Sequence, residues 1–204
     1  MNQTPLSIPF SEACERNKDV ILETISPILH DLSSVLEIGS GTAQHAVHFA
    51  RKFTKLAWQT SDQKHYIDGI KAQLSVANLE NLPSPLLIDV NQQPWVNSGQ
   101  QYDGLYSANT LHIMTKADVE AFFTELTSVL KANAYVMIYG PFKYAGKFTS
   151  ESNAYFDQSL RLRECGSAIR GFEWVNGLAE RVGLRLINDH QMPANNQLLV
   201  WQLD

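Results

Sequence analysis

The sequence predicts an α/β fold, doubly wound around a mostly parallel seven-stranded sheet whose C-terminal strand is reversed. Three observations carry this. Short β-rich segments alternate with stretches of helical periodicity along most of the chain, and such alternation builds parallel strands covered on both faces. A glycine turn, Gly39-Ser40-Gly41, follows the first apolar segment and opens a helix. The last two β-rich segments are joined only by "HQMPAN", too short for a parallel crossover of about a dozen residues. If those two segments pair, the final strand runs antiparallel.

In chain order, the apolar positions Val20, Ile21, Leu22, Ile25, Ile28 and Leu29 mark a helix over residues 12–29. "VLEIG" (Val35–Gly39) is the first strand, followed by a helix carrying Ala46, Val47, Ala50 and Phe53. "LAWQTSD" (Leu56–Asp62) is the second, and Tyr66, Ile67, Ile70, Leu74 and Ala77 give the next helix its apolar face. "PLLIDV" (Pro85–Val90) and "YDGLYSAN" (Tyr102–Asn109) are the third and fourth strands. The clearest helix follows, with Val119, Phe122, Phe123, Leu126, Val129 and Leu130 on one face and Thr115 with Asp118 as an N-terminal cap. "AYVMIYG" (Ala134–Gly140) is the fifth strand. A helix near Glu173–Val182, closed by Gly183, precedes "LRLIND" (Leu184–Asp189) and "NQLLVWQL" (Asn196–Leu203).

The 204 residues suit one domain, and 44% hydrophobic residues exclude a disordered chain. A net charge of −5 without a basic stripe argues against a nucleic-acid partner. Cys14 and Cys165 are too few and too far apart for a disulfide framework, and read as free thiols in a reducing compartment. The first eighteen residues have neither a basic start nor an apolar run, so they do not read as a signal peptide. No apolar stretch approaches the roughly 20 residues that span a bilayer. A cytoplasmic location and no membrane partner are the expectation.

The glycine turn selects among ligands. A dinucleotide loop of the form G-x-G-x-x-G places a small third residue where helix and strand pack closely. Counted from Gly39 and Gly41, that third position is Gln44, and the frame fails. Glu37, two residues before the turn, fits instead the form (D/E)-x-G-x-G, in which glycine backbone approaches the amino-acid end of an adenosine ligand lacking pyrophosphate. Glu37 is also compatible with a strand-end carboxylate paired to a basic neighbour. Asp62, ending the second strand, suits both ribose hydroxyls. Asp89 and Val90, ending the third, suit an adenine amine and an apolar wall; a helix cap or solvated loop explains Asp89 equally well.

His45 and His48 stand three apart, a spacing that permits shared metal binding, but no third ligand is evident, and packing and helix-surface roles are expected. His112 differs. It follows Asn109 in "SANTLHIM", past the fourth strand, where a neutral imidazole could take a proton from a nucleophile. A histidine that merely braces the loop is the competing reading.

These motifs bring the chain to a family. It resembles the class I S-adenosylmethionine-dependent methyltransferases and, more narrowly, the methyltransferase-like twenty-six family, a bacterial domain of unknown function. The resemblance spans nearly the whole chain through "ERNKDVIL", "LEIGSGTAQHAVHFA", "WQTSD", "DVNQQPW", "YDGLYSANTLHI", "GPF", "FTSESNAYFDQSLR" and "MPANN". It implies a Rossmann-like methyltransferase fold over residues 1–204, with the N-terminal helix covering the cofactor site. S-adenosylmethionine would be held by Glu37, Gly39, Ser40, Gly41, Asp62, Asp89, Val90 and Asn109. Asn109 and His112 are the candidate catalytic residues. Arg16 in the N-terminal helix would meet a carboxylate or substrate anion, an exposed helix charge being the alternative.

"GPFKYAGKFTSESNAYF" reads as a lid, with Phe142, Tyr144 and Ser150 as candidate substrate contacts. Two departures stand out: Ala43 occupies a position at which many members of the family carry glycine, and "ECGSAIRGFEW" lacks the tryptophan and acid expected around Ile169-Arg170. The expected activity is methyl transfer to a small-molecule acceptor whose identity, like the oligomeric state, is open. The alternatives are a catalytically silent S-adenosylmethionine-binding module and, more remotely, a nicotinamide-dependent oxidoreductase.

Overall fold

A computed structural model describes residues 8–163 and 166–204. Cys165 lies outside the described residues, as do the first seven residues of the N-terminal segment. Seven strands form one sheet, in the order Leu86–Leu87, Ala57–Asp62, Ser34–Ile38, Tyr102–Ala108, Leu130–Gly140, Asn196–Leu203 and Leu184–Met192. Two compact units divide the chain, one ending at Asp89 and the other beginning at Val90.

In the first unit, helix α1 (Glu12–Leu29) starts at the N-cap Ser11, whose side chain accepts from the Cys14 amide. Its buried residues Asn17, Ile21, Ile25 and Leu29 recur every fourth position and form one face. Strand β1 (Ser34–Ile38) pairs in parallel with β2 (Ala57–Asp62), Glu37 opposite Thr60 and Ile38 opposite Ser61. Helix α2 (Gln44–Lys52) lies between them in sequence and packs on α1 and β2. Phe49 of α2 meets Trp58 of β2 edge to face, ring centres 5.1 Å apart.

Helix α3 (Lys64–Ala77) keeps the predicted span but not the predicted burial. Of its five apolar positions only Ile70 is fully buried, and Tyr66 is 44% exposed. Strand β3 is likewise two residues, Leu86–Leu87, rather than Pro85–Val90. It is an edge strand preceded by Pro83 and Pro85, which supply no amide donors. An edge this short leaves α3 little sheet to cover.

The second unit opens with β4 (Tyr102–Ala108), parallel to β5 (Leu130–Gly140). Between them α4 (Lys116–Val129) carries the predicted capping box: the Thr115 hydroxyl accepts from the Asp118 amide (3.2 Å) and the Asp118 carboxylate from the Thr115 amide (2.8 Å). Val119, Phe122, Phe123, Leu126 and Val129 are buried as expected. Strand β5 begins four residues before the expected Ala134, because α4 runs directly into it at Leu130.

The segment read as a lid is folded. Strands β6 (Phe142–Tyr144) and β7 (Lys147–Phe148) form a hairpin turning at Ala145 and Gly146, both left-handed (φ 48° and 74°). Helix α5 (Glu151–Arg163) follows, and β8 (Arg170–Gly171) returns in parallel beside β6. Helix α6 (Phe172–Arg181), left-handed Gly183 and β9 (Leu184–Met192) lead to β10 (Asn196–Leu203). Strand β10 runs antiparallel to both β5 and β9. This is the reversed C-terminal strand the short link required.

Ala43, the N-cap of α2, is fully buried with φ 57° and has no side-chain capping bond. An L-residue in this region costs roughly 1–2 kcal/mol that glycine avoids. Ala43→Gly should therefore raise stability by about 1 kcal/mol, less the added chain entropy of glycine. A urea midpoint that rises at unchanged slope confirms it; a lower midpoint contradicts it.

Candidate functional site

The expected site residues fall into two clusters, one in each unit. In the first unit the cluster is built where the ends of β1 and β2 meet the glycine turn. The Gly39 and Ser40 amides both donate to the Ser61 carbonyl, at 3.1 and 2.9 Å. The Gly41 amide donates to Asp62 Oδ2 (2.7 Å), and Asp62 Oδ1 accepts from the Gln63 amide (2.7 Å). The Ala43 amide turns back to the Ser40 carbonyl (2.8 Å). Four amides of the turn are therefore satisfied within the chain, whereas a phosphate cradle needs such amides directed at the ligand.

Glu37 lies beneath the turn, 1% exposed. Its Oε2 accepts from the Ser40 hydroxyl (2.9 Å) and from Trp58 Nε1 (3.0 Å). Ser40 Oγ in turn accepts from the Ser61 amide (3.1 Å), and Ser61 Oγ donates to the Glu37 carbonyl (2.6 Å). Glu37 thus braces the turn from below rather than pairing with a basic residue. Burial pushes its carboxyl up to about 7, opposed by the bonds from Trp58 and Ser40 and reinforced by the charge of Asp62. Burial raises Asp62 as well, against the pull of the Gly41 and Gln63 amides.

Above the brace the turn is open. Gly41 has φ +56°, and a side-chain carbon there would meet nothing within 4 Å. Ligand can approach the backbone at this point, beside the Asp62 carboxylate. The Asp62 carboxylate beside the open backbone and the internally bonded amides suit a ligand end bearing hydroxyls and positive charge, and disfavour a pyrophosphate. The donor set thus fits S-adenosylmethionine, with its sulfonium, ammonium and ribose.

Gln44, the position at which the dinucleotide frame fails, has a structural role. Its Oε1 accepts from the Ser11 amide (2.6 Å) and the Thr42 hydroxyl (2.9 Å), and its Nε2 donates to Glu15 (3.2 Å). His45 Nε2 shares a 2.7 Å bond with Asn17, and His48 Nε2 lies 2.8 Å from Asp19. His45, also stacked on Phe49, therefore fastens α2 to α1, while His48 stands beside Asp19 without a hydrogen bond to it. Arg16 lies on the exposed side of α1, 4.0 Å from Glu12. Asp89 is half-buried and Val90 buried, just after β3.

In the second unit the cluster gathers at the ends of β4 and β5. Asn109 is left-handed (φ 58°), its amide donating to the Tyr139 carbonyl (2.8 Å), and it turns the chain out of β4. A side-chain carbon on Gly140 would lie 3.8 Å from His112 Nδ1 and 4.0 Å from Asn109 Oδ1. Gly140 therefore brings both candidate catalytic side chains beside the end of β5. His112 is 7% exposed and meets Phe156 of α5 edge to face at 5.3 Å. Burial, with the charge of Arg170, holds its imidazole down to about 4, so it is neutral at physiological pH.

The candidate substrate contacts lie in the same unit, on the segment that follows β5. Phe142 is buried (1% exposed) in β6. Tyr144 stacks on Phe172 and donates its hydroxyl to Asp189 (2.6 Å). Ser150 Oγ accepts from the Asn153 amide (3.2 Å) at the start of α5. The roles of Gln44 and Arg170 do not follow from the dinucleotide frame or from the family motifs. A polar residue at a tightly packed helix start is a signal for the first. Arg170, 5% exposed, donates to backbone carbonyls among the described residues, and nothing in sequence marks those.

A family model described as "Protein of unknown function (DUF938)" matches residues 8–203. Among solved structures, the chain is similar to an O-methyltransferase family protein from Burkholderia thailandensis: 13% identity and a TM-score of 0.74, covering 94% of this chain and 60% of that one. Human N-acetylserotonin methyltransferase in complex with SAM gives 11% identity and a TM-score of 0.77, over 94% of this chain and 53% of that one. An O-methyltransferase family 2 protein from Planctomyces limnophilus in complex with apigenin gives 11% identity and a TM-score of 0.72, over 92% and 62%. The chain thus spans little more than half the length of these structures. They share the class I methyltransferase fold with it.

The buried acid makes a pH test possible. Glu37 moves from an ordinary 4.5 to about 7 on folding. The folded state then binds more protons than the unfolded across that window, so this group's contribution to stability falls as pH rises from about 4.5 to 7. The shift amounts to roughly 3 kcal/mol. Glu37→Gln should flatten stability against pH over that range in urea titrations. An unchanged slope would show that Glu37 ionises normally in the fold.

Proposed function

The chain belongs to the DUF938 family of proteins of unknown function, and we propose that it is an S-adenosylmethionine-dependent methyltransferase acting on a small-molecule acceptor. The observation that carries the reading is the inward bonding of the Gly39, Ser40 and Gly41 amides, which leaves an open turn at Gly41 beside the Asp62 carboxylate, suited to a cationic adenosine ligand. The shared fold of the O-methyltransferases supports it. Within that class we place the chain in the methyltransferase-like twenty-six family, on the motifs quoted above. Residues 1–204 then act as one methyltransferase domain, with α1 and its N-cap as the cover of the cofactor turn through their bonds to Gln44 and His45.

In this reading Gly39, Ser40 and Gly41 hold the methionine portion, Asp62 the ribose hydroxyls, and Asp89 with Val90 the adenine. The bound cofactor supplies an already activated methyl group, so the chain's own work is alignment and exclusion of water. Asn109 orients the acceptor and His112, neutral, accepts its proton at a ring nitrogen. A weakly basic imidazole suffices if the proton leaves late, when methylation has made it most acidic. Arg16, Phe142, Tyr144 and Ser150 are assigned to the acceptor side or its surroundings. The similar structures are O-methyltransferases, one of them bound to apigenin, so hydroxyl-bearing aromatic compounds are the first acceptors to try.

Thermal unfolding with added ligand separates the readings. S-adenosylhomocysteine at 100 times its dissociation constant should stabilise the protein by about 2.7 kcal/mol, and NADH should not. Asp62→Asn should weaken S-adenosylhomocysteine by about tenfold or more, the worth of a charge-assisted hydrogen bond. Stabilisation by NADH alone would sink the methyltransferase reading. Tight S-adenosylhomocysteine binding without turnover across a broad acceptor panel would favour a silent binding module.

A further inference from the structure

Four consecutive carbonyls of the loop carrying His112 are bonded by one short distant segment. The Leu111 carbonyl accepts from Arg170 Nε (3.1 Å), the His112 carbonyl from the Ala168 amide (2.9 Å), and the Ile113 carbonyl from the Ser167 hydroxyl (3.0 Å). The Met114 carbonyl accepts from Arg170 Nη2, which also donates to the Gly166 carbonyl (2.7 Å). Inside the loop the Ile113 and Met114 amides both return to the Thr110 carbonyl. The brace is itself anchored: Asp157 of α5, 4% exposed, accepts from the Ile169 amide (2.7 Å) with one oxygen and from Arg161 Nε (2.7 Å) with the other.

We propose that Arg170 is a positioning residue, which with Ser167 and Ala168 fixes the 111–114 backbone and so sets where the His112 ring stands. The inference rests on the reading that His112 serves the acceptor. A planar guanidinium spans the carbonyls of Leu111, Met114 and Gly166 at once, which the single ammonium of lysine cannot do. Burying a cation beside a base also has a chemical consequence: the positive charge opposes protonation of His112 and keeps its lone pair free. The charged groups acting on Arg170 are Asp157 and Arg161 on α5 and Asp118 on α4, so its field on His112 is partly balanced.

The test is nuclear magnetic resonance on the full chain with labelled histidine, His112 being assigned from a His112→Gln spectrum. Arg170→Lys keeps the charge but loses the fork. It should leave the His112 titration midpoint near the wild-type value while speeding exchange of the Ala168 amide about tenfold. Arg170→Gln should speed exchange similarly and also raise the midpoint. Should either variant fail to fold, Ser167→Ala removes a single bond and should speed Ala168 exchange about threefold with an unmoved midpoint. Wild-type Ala168 protection in Arg170→Lys or in Ser167→Ala, or an unmoved midpoint in Arg170→Gln, would overturn the assignment. S-adenosylhomocysteine affinity should stay within about threefold of wild type in all three, and a larger loss shared by all would make the segment a general structural element instead. Failure of the wild type to bind S-adenosylhomocysteine would sink the methyltransferase reading and leave the exchange result standing.

Discussion

The hydrogen bond from the Gly41 amide to the Asp62 carboxylate is the constraint on which the glycine turn depends. It ties the turn after β1 to the end of β2, and the Ser61 carbonyl beside it takes the two preceding amides. A glycine-rich turn is usually read as an anion cradle because its amides point outward. Here the second strand has already claimed them. The same glycines therefore serve a different purpose, bringing bare backbone to an open face beside a carboxylate.

That arrangement needs a rigid underside, and Glu37 provides it. A carboxyl group this deeply buried is tolerated because the Ser40 hydroxyl and the Trp58 indole both donate to it. From the other side Gln44 joins the start of α1, the turn and the first turn of α2 through one amide. The second unit uses the same device with different parts. Segment 166–170 supplies donors to the carbonyls of its histidine loop, beside the loop's own bonds to the Thr110 carbonyl. In each case a loop at a strand end is held by groups from elsewhere in its own unit.

Much of the fold was legible in the sequence because it follows from short-range patterning. The α1 face at Ile21, Ile25 and Leu29, the Thr115–Asp118 capping box and the reversed β10 all follow from local spacing or link length. What was not legible depends on distant partners. Strand β6 becomes a strand because β8, twenty-eight residues later, lies beside it, so a segment that looked like a polar lid is folded. Helix α3 keeps its period but loses its cover, because the neighbouring edge strand is two residues long. In the site, Glu37, the glycines and Asp62 were legible as a motif, but the direction of the turn's amides was not. Arg170 escaped because its partners are backbone carbonyls, which carry no signal in the residue alphabet.

The central claim is that this turn receives a cationic adenosine ligand on its open face while its amides stay bonded to β2. A crystal structure of the protein with S-adenosylhomocysteine tests it most directly. The account predicts the ribose hydroxyls on the Asp62 carboxylate, the amino-acid end over Gly41, and the Gly39 and Ser40 amides still on the Ser61 carbonyl. A ligand held instead by outward-turned amides of Gly39–Gly41, or seated away from Asp62 altogether, would contradict it.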